Sequence, residues 1–133
     1  MTKPLDRPGG APPPSQATLP DGSALALVPL ASEITDRYAH AFPDEQDRYT
    51  PEWREWCTHD NQHVLAWALD AQAGLTDLWE QISWLARVLE ARDYPLDRLA
   101  RSLELGGDVL DERVGAATAE AAKELRAVAV KVA

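Results

Sequence analysis

From Leu25 to the C-terminus, apolar residues recur at steps of three and four, a spacing that fits helices and little else. The plainest stretch holds Leu78, Ile82, Leu85 and Leu89, with Trp79, Ala86 and Val88 widening the stripe. Alanine is abundant throughout, while β-branched runs and two-residue hairpin signals are missing from this region. The reading is an all-α fold, a four- or five-helix antiparallel bundle over residues 25–133.

Five helical segments follow. The first runs from about Pro29 to Ala41, with Leu30, Ile34, Tyr38 and Ala41 on one side and Pro43 just beyond its end. The second opens at Thr50-Pro51, an N-cap followed by proline, and reaches Ala73, with Gly74 as its C-cap. It is either continuous or interrupted near Thr58 to Asn61. Continuity places Trp53, Cys57, Val64, Trp67 and Ala71 on one stripe, but Asp60 falls on it too, and Thr58, Asp60 and Asn61 favour caps. The third is capped by Thr76, carries Asp77 and Glu80 in its first turn and ends near Arg92 or Asp93. The fourth starts at Pro95, capped by Asp93 or Tyr94.

The apolar phase of that fourth segment survives Gly106-Gly107, which predicts one helix with either a close approach of another helix or a kink at the glycine pair. On its outer face Asp97 and Arg101 have the spacing of an i,i+4 ion pair. The fifth segment runs from Thr118 to about Val132, with Ala121, Leu125, Val128 and Val132 on one face. Short connections between segments imply antiparallel neighbours.

Residues 1–24 read differently. They hold 6 of the chain's 10 prolines, with Gly9, Gly10 and Gly22, and offer almost nothing to bury. Such a stretch cannot offset its ordering entropy and is expected to be a disordered tail.

The formal net charge of -9 argues against a phosphate backbone or an anionic membrane surface as partner. No apolar run of membrane-spanning length occurs, and no apolar signal segment follows Met1. The single cysteine, Cys57, has no partner for an internal disulfide. A cytoplasmic location is the resulting expectation.

Side chains with chemical character concentrate in one place. All five tryptophans, Trp53, Trp56, Trp67, Trp79 and Trp84, fall between residues 53 and 84, and His59 and His63 lie among them. Indoles fill cores, line ligand pockets and dominate interfaces. Trp79 and Trp84, five residues apart, sit about 140° apart around a helix, so they cannot share one face. That separation points to a second apolar surface.

His59 and His63, four apart, are the candidate metal pair on a continuous helix. Further ligands would have to come from another helix, and the Glu of the metalloprotease signature is absent between them. The commoner reading of such a pair, and the one favoured here, is that the two imidazoles cap or hydrogen-bond a helix junction. No Gly-rich phosphate loop or nucleophile-and-base pair is present, and the sequence names no cofactor. Glu104, Asp108, Asp111 and Glu112 read as a solvated face.

The expectation is a non-enzymatic recognition module. Its partner is a protein, self included, met by the tryptophans and the Ala/Val face of the last helix. The alternative is a sensor or carrier holding a small hydrophobic, planar or metal-containing ligand. There Trp53, Trp56, Trp67, Trp79 and Trp84 would form walls, and His59 or His63 a polar anchor. A metal-dependent enzyme is a third reading.

Overall fold

The computed structural model describes residues 12–48 and 51–133, and five long helices account for most of them. These are α1 (Val28–Ala41), α3 (Trp53–Gln72), α4 (Leu78–Ala91), α5 (Leu96–Arg113) and α6 (Ala119–Val132). A four-residue turn of helix, α2 (Glu45–Arg48), and a 3₁₀ turn at Ala116–Thr118 complete the helical elements. The five segments expected from apolar spacing are thus present, within a few residues at each end.

Two antiparallel strands, β1 (Gln16–Thr18) and β2 (Ala24–Ala26), precede them. This corrects the expectation of a tail for the described part of residues 1–24; residues 1–11 lie outside the described residues. The local cause is Leu19-Pro20-Asp21-Gly22. The Gly22 N–H donates to the Leu19 carbonyl at 2.9 Å, with Pro20 and Asp21 at the turn centre. Gly22 has φ +88°, a left-handed value that a side chain would disfavour. Asp21 accepts from the Ser23 N–H at 2.9 Å and ties off the loop. A Pro-Asp-Gly turn is a strong hairpin signal even within proline-rich composition. The strands are joined to the bundle at Pro14, whose carbonyl accepts from Gln62 Nε2 on α3 at 3.0 Å.

The α3 helix runs unbroken through Thr58 to Asn61. Its C-terminus is closed as expected by Gly74: the Gly74 N–H reaches the Ala71 carbonyl at 3.0 Å and the Leu75 N–H reaches Asp70 at 2.8 Å. Thr50, expected as its N-cap, lies outside the described residues. The cap of α4 is Asp77 rather than Thr76, with the Asp77 carboxylate accepting from the Trp79 and Glu80 N–H groups. Thr76 stands one residue outside the cap position, where its hydroxyl oxygen accepts from Gln81 Nε2 at 3.1 Å. Neither Asp93 nor Tyr94 caps α5, which starts from Pro95 without a side-chain cap. Asp93 instead closes α4, with φ +58°, and the Tyr94 N–H reaches back to the Leu89 carbonyl. Aspartate tolerates this conformation better than most residues.

The core gathers Leu27, Ile34, Tyr38, Leu65, Trp67, Ile82, Leu85, Leu103, Val109, Leu110 and Leu125, all nearly inaccessible to solvent. α3 sits centrally, packed on α1, α4, α6 and β1, while α5 packs mainly on α6 and α1. At the expected glycine pair α5 comes close to α6. A Cβ built on Gly107 would lie 3.1 Å from the Ala122 carbonyl oxygen, and one on Gly106 3.3 Å from Leu125 Cδ1. Gln72 clips the end of α3 to the start of α6, donating to the Ala117 carbonyl and accepting from the Ala121 N–H.

The charged residues form straps between helices. Arg37 of α1 engages Glu33 at 2.6 Å and Glu112 of α5 at 2.8 Å, and Arg113 reaches Glu33 at 2.7 Å. Arg126 bridges Asp108 and Asp111. The carboxylates read as a solvated face are thus partly tied to arginines. Arg101 pairs with Glu104 at 3.9 Å, not with Asp97 as its spacing suggested. Among the described residues, no helix is long and apolar enough to cross a membrane.

Candidate functional site

The centre of α3 carries four successive polar side chains, Asp60, Asn61, Gln62 and His63, each no more than 9% exposed. A helix buried on one stripe would place at least two of them in water. α3 buries all four because neighbours cover its middle on several sides. Burying polar groups without partners is costly, so each direction around the helix needs its own polar contacts.

On the side facing α1, Thr58 Oγ1 lies 2.9 Å from Thr35 Oγ1. On the side facing the hairpin, Gln62 meets Pro14. On the side facing α5, Ser102 Oγ donates to Asn61 Oδ1 at 3.4 Å, and Asn61 Nδ2 donates to Cys57 Sγ at 3.5 Å. Asp60 Oδ1 faces His59 Nδ1 at 3.2 Å. These contacts explain why cap-favouring residues stay inside a continuous helix.

The imidazoles and two of the indoles form a column along α3 and across to α4. His59 and His63 meet edge to face with ring centres 5.0 Å apart, His63 stacks on Trp67 at 6.0 Å, and Trp67 meets the edge of Trp84 at 6.3 Å. Among the described residues, no three His, Cys, Asp or Glu side chains stand close enough to hold a metal ion together. The other indoles lie elsewhere. Trp53 packs near Tyr38 at 6.2 Å with the Arg54 guanidinium over its ring. Trp79 sits under Lys131 of α6, and Trp56 is half-buried.

Trp79 and Trp84 do leave α4 in different directions, one toward α6 and one toward α3. Neither forms the second apolar surface expected of them, since both pack against the core as half-buried residues. The Ala/Val face of the last helix is not a free surface either. Ala121, Ala122, Leu125, Val128 and Val132 are buried within the bundle, because the small residues of α6 meet Gly106-Gly107 of the same chain.

A crevice opens on the α4–α5 side of α3. Cys57, Asp60, Asn61 and Val64 form one wall, and Leu85, Leu89, Leu99, Leu103, Ser102 and Tyr94 the others. Its internal volume is about 30 Å³. Tyr94 and Ser102 keep partial exposure. None of the tryptophans or histidines singled out in the sequence lines it. Of its residues, Cys57 and Asp60 stood out in the sequence, as neighbours of the histidines and as an acid on an apolar stripe. Tyr94 and Ser102 carried no signal, because the turn and the helix that bring them to α3 are distant in sequence.

Two of the polar groups lining the crevice, Cys57 and Tyr94, are strongly perturbed. Burial pushes the Cys57 thiol up to about 12, with Asp60 and Glu45 adding repulsion against a thiolate. Tyr94 and Tyr38 share a short hydroxyl–hydroxyl contact, and burial holds both phenols well above their ordinary range. Glu45 is itself buried and is held by Arg98, which also engages Asp44 at 2.8 Å and covers the Phe42 ring at 4.4 Å. A thiol so disfavoured as thiolate is a poor nucleophile near neutral pH.

Comparison with family models, with curated proteins and with solved structures finds no match for this chain.

Proposed function

We propose that the bundle is a non-enzymatic binding module whose ligand is a small molecule taken up between α3, α4 and α5. One observation carries this reading. Five polar side chains, Cys57, Asp60, Asn61, Tyr94 and Ser102, converge on a crevice whose remaining walls are aliphatic. Convergent polar groups on an apolar wall are how small-molecule sites fix orientation.

The volume bounds the ligand. A crevice of about 30 Å³ has room for one or two waters, whereas a cavity that holds benzene measures about 150 Å³. A planar or metal-containing group would need α4 to move outward. The site therefore differs from the Trp-walled pocket read from the sequence, with Asp60 and Asn61 taking the anchoring role assigned there to His59 or His63.

Native mass spectrometry of gently purified protein, paired with a denaturing spectrum, tests the reading. Extra mass that vanishes on denaturation and is lost in Ser102→Val is the expected result. A bare wild-type chain that also fails to respond to any small-molecule library in a thermal-shift screen overturns it.

A second reading, docking of a protein partner, has its own observation. Leu75 is 76% exposed beside a groove lined by Leu19, Pro20, Leu69 and Ala73, where the hairpin meets the end of α3. Sedimentation of the wild type against Leu75→Asp tests it. A concentration-dependent oligomer dispersed by the substitution supports self-association through this groove.

A further inference from the structure

We infer that the groove between β1 and the end of α3 takes an extended basic peptide of a partner protein, added to β1 as a further strand. This rests on the reading of that groove, which Leu75 lines, as a docking surface.

The backbone supplies the first argument. The Leu19 N–H donates to the Ser23 carbonyl at 2.8 Å, and the Leu27 N–H to the Ser15 carbonyl at 2.9 Å. Bonded and unbonded pairs alternate along antiparallel strands. In the register of the hairpin the Gln16–Ala26 and Thr18–Ala24 pairs are therefore the unbonded ones. The N–H and C=O groups of Gln16 and Thr18 point away from β2, along the outer edge of β1. Among the described residues they meet no backbone partner there. Thr18, Leu19 and Pro20 form one wall of the groove, and no residue of β2 lines it. An open strand edge is a template for another strand.

The opposite wall receives the side chains. It is built from Leu69, which is buried, and Leu75, which is 76% exposed, with Asp70, Gln72 and Ala73. The groove encloses about 370 Å³, within the span of about 300–1,000 Å³ typical of ligand-sized pockets. Successive side chains of a strand face opposite ways, so every second residue of the peptide would meet this wall.

Charge selects the occupant. Asp70 is the one charged residue of the lining. Its carboxylate has no ion pair or hydrogen bond among the described residues. The end of α3 adds to it. The N–H groups of Ala73, Gly74 and Leu75 turn back to the carbonyls of Leu69, Ala71 and Asp70, which leaves the Gln72 and Ala73 carbonyls without a backbone donor among the described residues. Free carbonyls at a helix C-terminus carry partial negative charge and favour cations. Lysine and arginine are donors without acceptors and suit both the carboxylate and the carbonyls. A second copy of this chain would instead bring a net charge of -9 and the same Asp70 against the groove.

The test titrates the isotope-labelled full chain with acetylated, amidated hexapeptides and follows its backbone amides by NMR. The probes are alternating valine–lysine, alternating valine–glutamate, and the valine–lysine peptide with every amide N-methylated. The valine–lysine peptide should shift the amides of Thr18 and of Leu69 to Leu75. It should bind at least about tenfold tighter than either other peptide. Asp70→Asn should remove the preference for lysine over glutamate, and Leu75→Ser should weaken the valine–lysine peptide about tenfold or more.

Equal affinity for the lysine and glutamate peptides would overturn the basic partner and leave the groove a docking surface. Equal affinity of the N-methylated peptide would overturn strand addition. Lysine-peptide binding unchanged in Asp70→Asn and in Leu75→Ser would place it on the acidic outer surface and overturn the inference. No shift at the groove, with an oligomer that Leu75→Asp disperses, would make the occupant a second copy and overturn the inference alone. No shift with a monomer at all concentrations would overturn the docking reading as well. If Asp70→Asn fails to fold by circular dichroism, the probe series and Leu75→Ser still decide.

Discussion

Gly107 of α5 lies against the backbone of Ala122 in α6, so close that a methyl group at Gly107 would stand 3.1 Å from the Ala122 carbonyl oxygen. Gly106 beside it would meet only the ends of side chains, Leu125 Cδ1 at 3.3 Å and Ile34 Cδ1 at 3.7 Å. The two positions therefore respond oppositely to alanine. Each gains about 1 kcal/mol of helix propensity. At Gly107 the backbone contact and the Arg126 side chain must shift, an overpacking cost of about 1–3 kcal/mol. Gly107→Ala should lower stability by about 1 kcal/mol, and Gly106→Ala should leave it unchanged or raise it by about 0.5 kcal/mol. Urea unfolding followed by circular dichroism checks both. Equal effects at the two sites would show that α6 yields as readily as a leucine methyl.

The pair of Glu45 and Arg98 sits deeper than the other straps, with side-chain exposures of 3% and 14%. Removing the cation strands a buried carboxylate. Arg98→Met should therefore cost about 3 kcal/mol, and adding Glu45→Leu to it should recover at least about 1 kcal/mol. The cycle of two singles and the double, read by chemical denaturation, measures this. A double variant less stable than Arg98→Met would mean that the carboxylate finds other donors.

Much of this fold is legible in the sequence, and the misses have identifiable causes. Leu78, Ile82, Leu85 and Leu89 announce α4 because a helix with one buried stripe writes its period into the chain. α3 does not, since it is covered on several sides and its Asp60-Asn61-Gln62-His63 run breaks the stripe while remaining helical. The hairpin was hidden by proline-rich composition, although Pro20-Asp21-Gly22 specified its turn. The aromatic and imidazole cluster was visible as composition, yet its column runs beside the crevice. Ser102 and Tyr94 reach that crevice only through packing of α5 and its preceding turn on α3, a relation no local spacing encodes.

Glu33, Asp44 and Glu112 are each held below their ordinary carboxylate range by arginines: Glu33 by Arg113 and Arg37, Asp44 by Arg98, Glu112 by Arg37. A depressed folded-state pKa means that the unfolded chain takes up protons first as pH falls. The stability these groups contribute is complete above their unfolded values, near 4.5 for glutamate and 3.8 for aspartate. It is lost as pH drops through the lower folded values. The melting temperature should be insensitive to these groups above pH 6 and should fall below about pH 4.5. The fall should be shallower in Arg37→Met, which removes one partner of both Glu33 and Glu112. An identical slope in the variant would show that other carboxylates govern the acid limb. All three groups are solvent-accessible, so added salt should reduce the effect.

Cys57 reports on the closure of the crevice. Its thiol is pushed from 9.0 up to about 12, first by burial and then by Asp60 and Glu45. Near neutral pH that change reduces the thiolate population about a thousandfold relative to an unperturbed cysteine. A disulfide reagent should therefore label the folded protein at least a hundredfold more slowly than the urea-unfolded chain. The sign on stability also follows. A folded-state pKa raised above the unfolded value gives stability that is complete below pH 9 and is lost as pH rises toward 12. Cys57→Ala should flatten that alkaline loss, leaving the part due to Tyr38 and Tyr94, which begins about one unit higher. A folded protein that labels as fast as the unfolded one would mean that α4 opens freely and the crevice is not a closed site at rest. Slow labelling in the native state, restored to the unfolded rate by urea, would mean that α3, α4 and Tyr94 keep Cys57 covered.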